Sequence, residues 1–114
     1  MTESTIESET ISFPAMGKNL LDVKTYGTSQ DTSMFFGRTN NTYADSLFLK
    51  AGTYTFSSNT QADLISVTNR DGSTIGGLTQ NSFYHTFTIT EDQYVGIVFY
   101  KANASAADLL TYQY

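Results

Sequence analysis

Apolar and polar side chains alternate strictly along three stretches of this chain. In Thr53–Ser57 the apolar positions are Tyr54 and Phe56. In Phe83–Thr90 one side carries Phe83, His85, Phe87 and Ile89, and the other carries Tyr84, Thr86, Thr88 and Thr90. In Gln93–Lys101, Val95, Ile97 and Phe99 alternate with Tyr94, Gly96, Val98 and Tyr100. A repeat of two describes a strand with one face buried and one face wet. The third stretch is apolar on both sides and is expected at the centre of a sheet.

Shorter runs add further strands: Thr10–Phe13, stopped by Pro14, then Leu20–Val23, Met34–Phe36, Leu47–Leu49, Asp63–Thr68 and Leu109–Tyr114. Asn69-Arg70-Asp71-Gly72 reads as a hairpin turn. Ser73–Ile75 returns briefly and is broken by Gly76-Gly77. Tyr26–Ser33, Arg38–Asp45 and Thr79–Ser82 read as polar loops, and Glu91-Asp92 as a turn. Only Ala102–Leu110 suggests a helical turn. Eight or nine strands, roughly one every 8–12 residues, predict a single all-β antiparallel domain, a sandwich or a barrel. Residues 13–114 are assigned to that domain. Residues 1–12, with Glu3, Glu7 and Glu9, are expected to form a flexible or partner-docking arm.

The chain has 114 residues, enough for one domain. Only 15% of them are charged, below the ~25% usual in soluble domains, and Ser and Thr fill the polar positions. Net charge is −5, and the six basic residues are scattered singly. Phosphate backbones are gripped by clustered Lys and Arg, so neither nucleic acid nor an anionic membrane surface is an expected partner. With no cysteine, disulfides and thiolate metal sites are excluded. No run approaches the ~20 apolar residues of a membrane span. The Met1-Thr-Glu-Ser-Thr-Ile start lacks the basic and apolar regions of a signal peptide, so secretion by that route is not expected.

The residues give little to catalysis. His85, the single histidine, falls on the apolar face of its strand and is expected in the core. No Ser lies in a nucleophile-elbow context. Glu91 and Asp92 are adjacent, which does not suit the fixed separation that glycoside hydrolysis requires of two carboxylates. The remaining aspartates lie at strand ends and loops, where they cap turns. No cofactor is expected. Loop carboxylates are compatible with Ca²⁺, although no Asp-x-Asp-x-Asp spacing occurs.

Three motifs in order carry a resemblance. They are Gly17-Lys-Asn-Leu-Leu-Asp22, the Leu47-x-Leu49-x-Ala51-Gly52-Thr53-Tyr54-Thr55-Phe56 segment, and Phe87-x-Ile89-Thr90-Glu91-Asp92 followed by Val95-x-Ile97-x-Phe99. From Gly17 onward the chain resembles a carbohydrate-binding-module-like domain common in tail and baseplate proteins of phages of Gram-positive bacteria. The resemblance implies a single jelly-roll-like β-sandwich on the surface of a virion. It also implies other virion proteins as partners, a multicopy or homo-oligomeric assembly, and contact with host cell-wall glycans.

Sugar recognition needs an aromatic ring to stack on a pyranose and planar polar groups to bond its hydroxyls. There is no Trp but there are eight Tyr. Two clusters meet the requirement: Arg38, Asn40, Asn41 and Tyr43, and Gln80, Asn81 and Tyr84. The expected function is a non-enzymatic phage structural or adhesion subunit that binds glycans weakly through these residues. The alternative is a decoration protein that docks on a lattice and holds no ligand. Tyr112 and Tyr114, on the expected last strand, offer an aromatic row to another subunit.

Overall fold

A computed structural model describes residues 8–11, 23–38 and 43–114. It is an all-β molecule. The described residues form seven strands in one connected sheet: β1 (Ser8–Ile11), β2 (Gly27–Gln30), β3 (Ser33–Phe36), β4 (Leu47–Leu49), β5 (Gly52–Thr68), β6 (Thr74–Ile89) and β7 (Gln93–Tyr100). Two single-turn helices accompany them, α1 (Val23–Tyr26) and α2 (Ala106–Leu109). Every strand pair is antiparallel except β1 with β5, where Ser8–Ile11 runs parallel to Thr53–Phe56. Four residues of the expected N-terminal arm therefore pair with the sheet.

β7 is central, as its two apolar faces predict. Its Gly96–Tyr100 segment pairs on one side with Leu64–Thr68 of β5, its Ile97–Tyr100 part pairs on the other with the whole of β3, and Gln93–Val95 pairs with β4. Val95, Ile97 and Phe99 are fully buried and meet Phe36, Phe56, Ile65 and Val67 in one core. The Asn69–Ser73 turn forms for local reasons. Asn69 N–H donates to the Ser73 carbonyl at 2.8 Å, and Asp71 Oδ1 accepts from both the Ser73 amide and its hydroxyl. Those bonds favour the charged carboxylate and hold the Asp71 pKa below its ordinary value.

The structure corrects several expectations. Four short strands on either side of the Asn69 turn are two long ones. β5 has 17 residues and continues through Ser58–Gln61 as an irregularity in its pairing with β6. β6 has 16 and absorbs Gly76 and Gly77, whose φ angles of +69° and +88° glycine adopts at little cost. The polar loop expected at Thr79–Ser82 thus belongs to a strand. So does most of the loop expected at Tyr26–Ser33, which is the β2–β3 hairpin, turning at Asp31-Thr32. β2 carries no apolar face, and only its backbone pairing with β3 defines it.

The expected final strand Leu109–Tyr114 is instead the end of α2 followed by turns. The helix starts on a capping box, with the Ser105 side chain bonded to the Asp108 amide and the Asp108 side chain bonded back. The chain then folds inward, so Tyr114 is only 1% exposed, within the core, and is not part of an outward aromatic row. The strand expected at Thr10–Phe13 appears at Ser8–Ile11, and Val23 starts α1. Residues 12–22, including the Gly17–Asn19 turn signal, lie outside the described residues.

Candidate functional site

The outward side of β7 and its neighbours assembles an aromatic surface. Leu47 and Leu49 are buried, so the side chain between them, Phe48, must point out, and half of its surface is exposed. Phe48 pairs in register with Tyr94. Their rings meet edge to face with centroids 5.1 Å apart, a favoured aromatic geometry. The Arg70 guanidinium lies 5.4 Å from the centre of the Tyr94 ring. Around this pair an open groove of about 500 Å³ is lined further by Asn69, Asp71, Glu91, Asp92 and Gln93.

The groove is ordered by short bonds. Gln93 Nε2 donates to Asn69 Oδ1 at 2.7 Å, which ties the start of β7 to the β5–β6 turn. Asp92 Oδ1 accepts from the Ala51 amide at 2.9 Å. Its other oxygen is 3.8 Å from Lys50 Nζ; both groups are well exposed, so that ion pair adds little stability.

Arg38 and Tyr43 of the first predicted cluster are brought together and adjoin this surface. The Arg38 guanidinium lies 4.3 Å from the Phe35 ring centre and 4.9 Å from that of Tyr43. The Tyr43 ring packs on Gly72, within the turn that lines the groove. Thr68 Oγ1 donates to the Tyr43 carbonyl at 3.1 Å. That carbonyl lies directly over Gly96, two residues along β7 from Tyr94, where any side chain would collide with it. Asn40 and Asn41 lie outside the described residues.

The second predicted cluster occupies a different part of the hairpin. Gln80, Asn81 and Tyr84 fall where β6 turns a corner. Asn81 has φ +53°, its carbonyl accepts from Gln61 Nε2, and the Tyr84 amide donates to Ser82 Oγ. Tyr84 is 59% exposed, but no described aromatic ring lies against it. The two clusters do not meet among the described residues. Phe48, Arg70 and Tyr94 were missed by the sequence reading. The signal for Phe48 and Tyr94 was present: Phe48 stands between the buried Leu47 and Leu49, and Tyr94 is the outward neighbour of the buried Val95.

His85 is buried, as its position in the alternation predicts. Its Nδ1 lies 2.8 Å from Thr79 Oγ1, across the corner of β6, and its ring lies nearly parallel to that of Phe87. Nε2 is buried without a hydrogen bond among the described residues. Protonation would place a second N–H there with no acceptor, and burial pushes the imidazole pKa below its ordinary 6.5. The folded state thus favours neutral His85. Its contribution to stability is complete above the unfolded-state value and is lost as pH falls below about 6.5 toward the lower folded-state value. Urea midpoints measured from pH 8 to pH 5 are expected to fall in that window, and His85→Gln to flatten the fall. An equal slope in the variant would assign it to other groups.

Among the described residues, no group of three His, Asp or Glu side chains is placed to hold a metal ion, and no helix is long and apolar enough to cross a membrane. Comparison of the chain with known families, curated proteins and solved structures gives no match.

Proposed function

We propose that this chain is a non-enzymatic binding module, a structural or adhesion subunit on the surface of a phage particle, in its tail, baseplate or capsid. Its task is to hold host cell-wall carbohydrate weakly, in many copies, so that avidity offsets the low affinity of each site. The observation that carries this reading is the Phe48–Tyr94 pair opening onto a groove lined by a guanidinium, two planar amides and three carboxylates. Exposed rings offer stacking for the apolar face of a pyranose, and the flanking groups offer paired hydrogen bonds for its hydroxyls. The phage setting rests on the resemblance of the three sequence motifs.

The fold we propose within this reading is a jelly-roll-like sandwich. In its favour, the two halves of the bent β5–β6 hairpin share one core: Phe56 and Phe87 of one half and Ile65 and Val67 of the other belong to the same buried cluster.

The test is an array of Gram-positive wall polysaccharides probed with the protein on a multivalent support. Binding is expected, with Tyr94→Ala and Phe48→Ala each weakening it about tenfold, the ~1–1.5 kcal/mol of one aromatic contact. Tyr84→Ala is expected to leave it unchanged. Binding lost only in Tyr84→Ala would move the site to the hairpin corner. No binding to any polysaccharide would favour a decoration protein without a ligand.

A further inference from the structure

Among the described residues, four strands border the sheet with one side unpaired: β1, β2, β4 and β6. β1 and β2 have four residues each and β4 has three, and short edges are poor templates for another strand. β6 has 16 residues and pairs with β5 alone. Its first half is broken by the left-handed Gly76 and Gly77 and by the corner at Asn81. From Phe83 to Ile89 the edge is regular, in unbroken register with β5 from Tyr84↔Ser57 to Ile89↔Gly52.

This edge lacks the devices that keep edges apart. Thr74–Thr90 contains no Asp, Glu, Lys, Arg or Pro, in a chain whose net charge is −5. Monomeric sheet proteins commonly guard such an edge with charge or proline. Here the acidic residues lie elsewhere, so two copies approaching through β6 meet no like charge. The outward row is flat and uncharged: Thr86 and Thr88 are bonded at 2.9 Å to Thr55 and Thr53, and Tyr84 completes it. Phe83 stands in the inward row yet is 49% exposed.

We infer that β6 is a self-association edge, and that Phe83–Ile89 pairs antiparallel with the same segment of a second copy about a two-fold axis at Thr86. A second copy is the occupant because an unpaired antiparallel edge is complementary to itself under a two-fold rotation. Centring the axis on Thr86 pairs every residue of the regular segment. Tyr84 then faces Thr88 of the second copy, and the exposed Phe83 ring is covered by its Ile89. The two three-stranded β1–β5–β6 units become one continuous sheet. This inference does not depend on the carbohydrate reading.

The experiment is sedimentation velocity on the full chain over a concentration series. The wild type is expected to form a dimer. Thr86→Lys and Thr86→Glu each place two like charges face to face at the axis and are expected to raise the dissociation constant about tenfold or more. An equimolar mixture of the two variants is expected to recover the dimer, as opposite charges then meet. Thr28→Lys, on β2, adds the same charge away from the axis and is expected to dimerise like the wild type. As a second readout, Thr86→Cys is expected to form an intermolecular disulfide in a chain that otherwise has no cysteine, and Thr28→Cys is not. A wild type that stays monomeric, a Thr86→Lys protein that dimerises unchanged, or a mixture that fails to recover would each overturn the proposal.

Discussion

Tyr114→Ala is expected to destabilise the protein by about 3–5 kcal/mol, the usual cost of removing a large aromatic side chain from a packed core. Tyr114 is the hub of the aromatic cluster. Its ring centre is 5.1 Å from Phe36, 5.2 Å from Phe99 and 6.1 Å from Phe56. These rings come from β3, β7 and β5, so one side chain joins three strands of the sheet. Its hydroxyl donates to the Leu109 carbonyl at 2.7 Å and fixes the turn that follows α2. Burial, and then the neighbouring Tyr112, push the phenol pKa well above its ordinary value, so the donor is kept protonated. Tyr114→Phe keeps the ring and loses that bond, and is expected to cost about 1 kcal/mol. Equilibrium urea unfolding separates the two variants. A Tyr114→Ala protein as stable as Tyr114→Phe would mean that the ring contributes little to the core.

Gly96→Ala is the second large effect, and it links the fold to the proposed site. A Cβ at residue 96 would meet the Tyr43 carbonyl oxygen, with Arg38 Cγ at 2.8 Å and Thr68 Oγ1 at 3.1 Å. Backbone cannot yield as a flexible side-chain tip does, so the segment carrying Tyr43 must lift away from β7. That breaks the bond from Thr68 and separates the Arg38–Tyr43–Gly72 stack. The expected loss is about 1–3 kcal/mol, the range for overpacking a close contact. The quenching or chemical shifts of Tyr43 are expected to change with it, while the buried Ile97 and Phe99 signals stay close to their wild-type positions. Unchanged stability together with unchanged Tyr43 signals would show that the segment does not depend on this approach.

The sequence made much of this fold legible where the cause is local. The alternation at Thr53–Ser57, Phe83–Thr90 and Gln93–Lys101 placed the buried side chains correctly, including His85 and the central strand, with Phe83 the exception: it stands in the inward row but is exposed. Asn69–Gly72 was readable because Asp71 and Gly72 supply the turn's own acceptor and backbone freedom. The helical turn expected within Ala102–Leu110 forms at Ala106–Leu109, where Ser105 and Asp108 supply a local capping box. What was not legible depends on a distant partner. Gly27–Gln30 has the composition of a loop and becomes a strand only because Phe36 to Ser33 pairs alongside it. Gly76-Gly77 breaks alternation without ending β6, since β5 resumes pairing on either side. Leu109–Tyr114 has strand-like residues, but the core has room for a ring at the point where Tyr114 returns to it.

The candidate surface shows the same division. Arg38 and Tyr43 share a loop and could be grouped by proximity in sequence. Phe48, Arg70 and Tyr94 come from three separate elements, and only the register of β4 on β7 and the course of the β5–β6 turn bring them side by side. Tyr84, grouped with Gln80 and Asn81 by the same sequence logic, stands apart because the corner in β6 gives it no second ring.

The regular stretch of β6 also bears on how safely this chain can unfold. Seven uncharged, proline-free residues rich in Thr and aromatic side chains have the composition that stacks into cross-β fibrils when left unprotected. In the native molecule Phe87 and Ile89 are withdrawn into the interior. The Asn81 corner and the Gly76–Gly77 kink stop the exposed border from running on as a long flat ribbon. Native packing is therefore also this chain's defence against amyloid, and local opening of the β5–β6 hairpin is where that defence would first be lost.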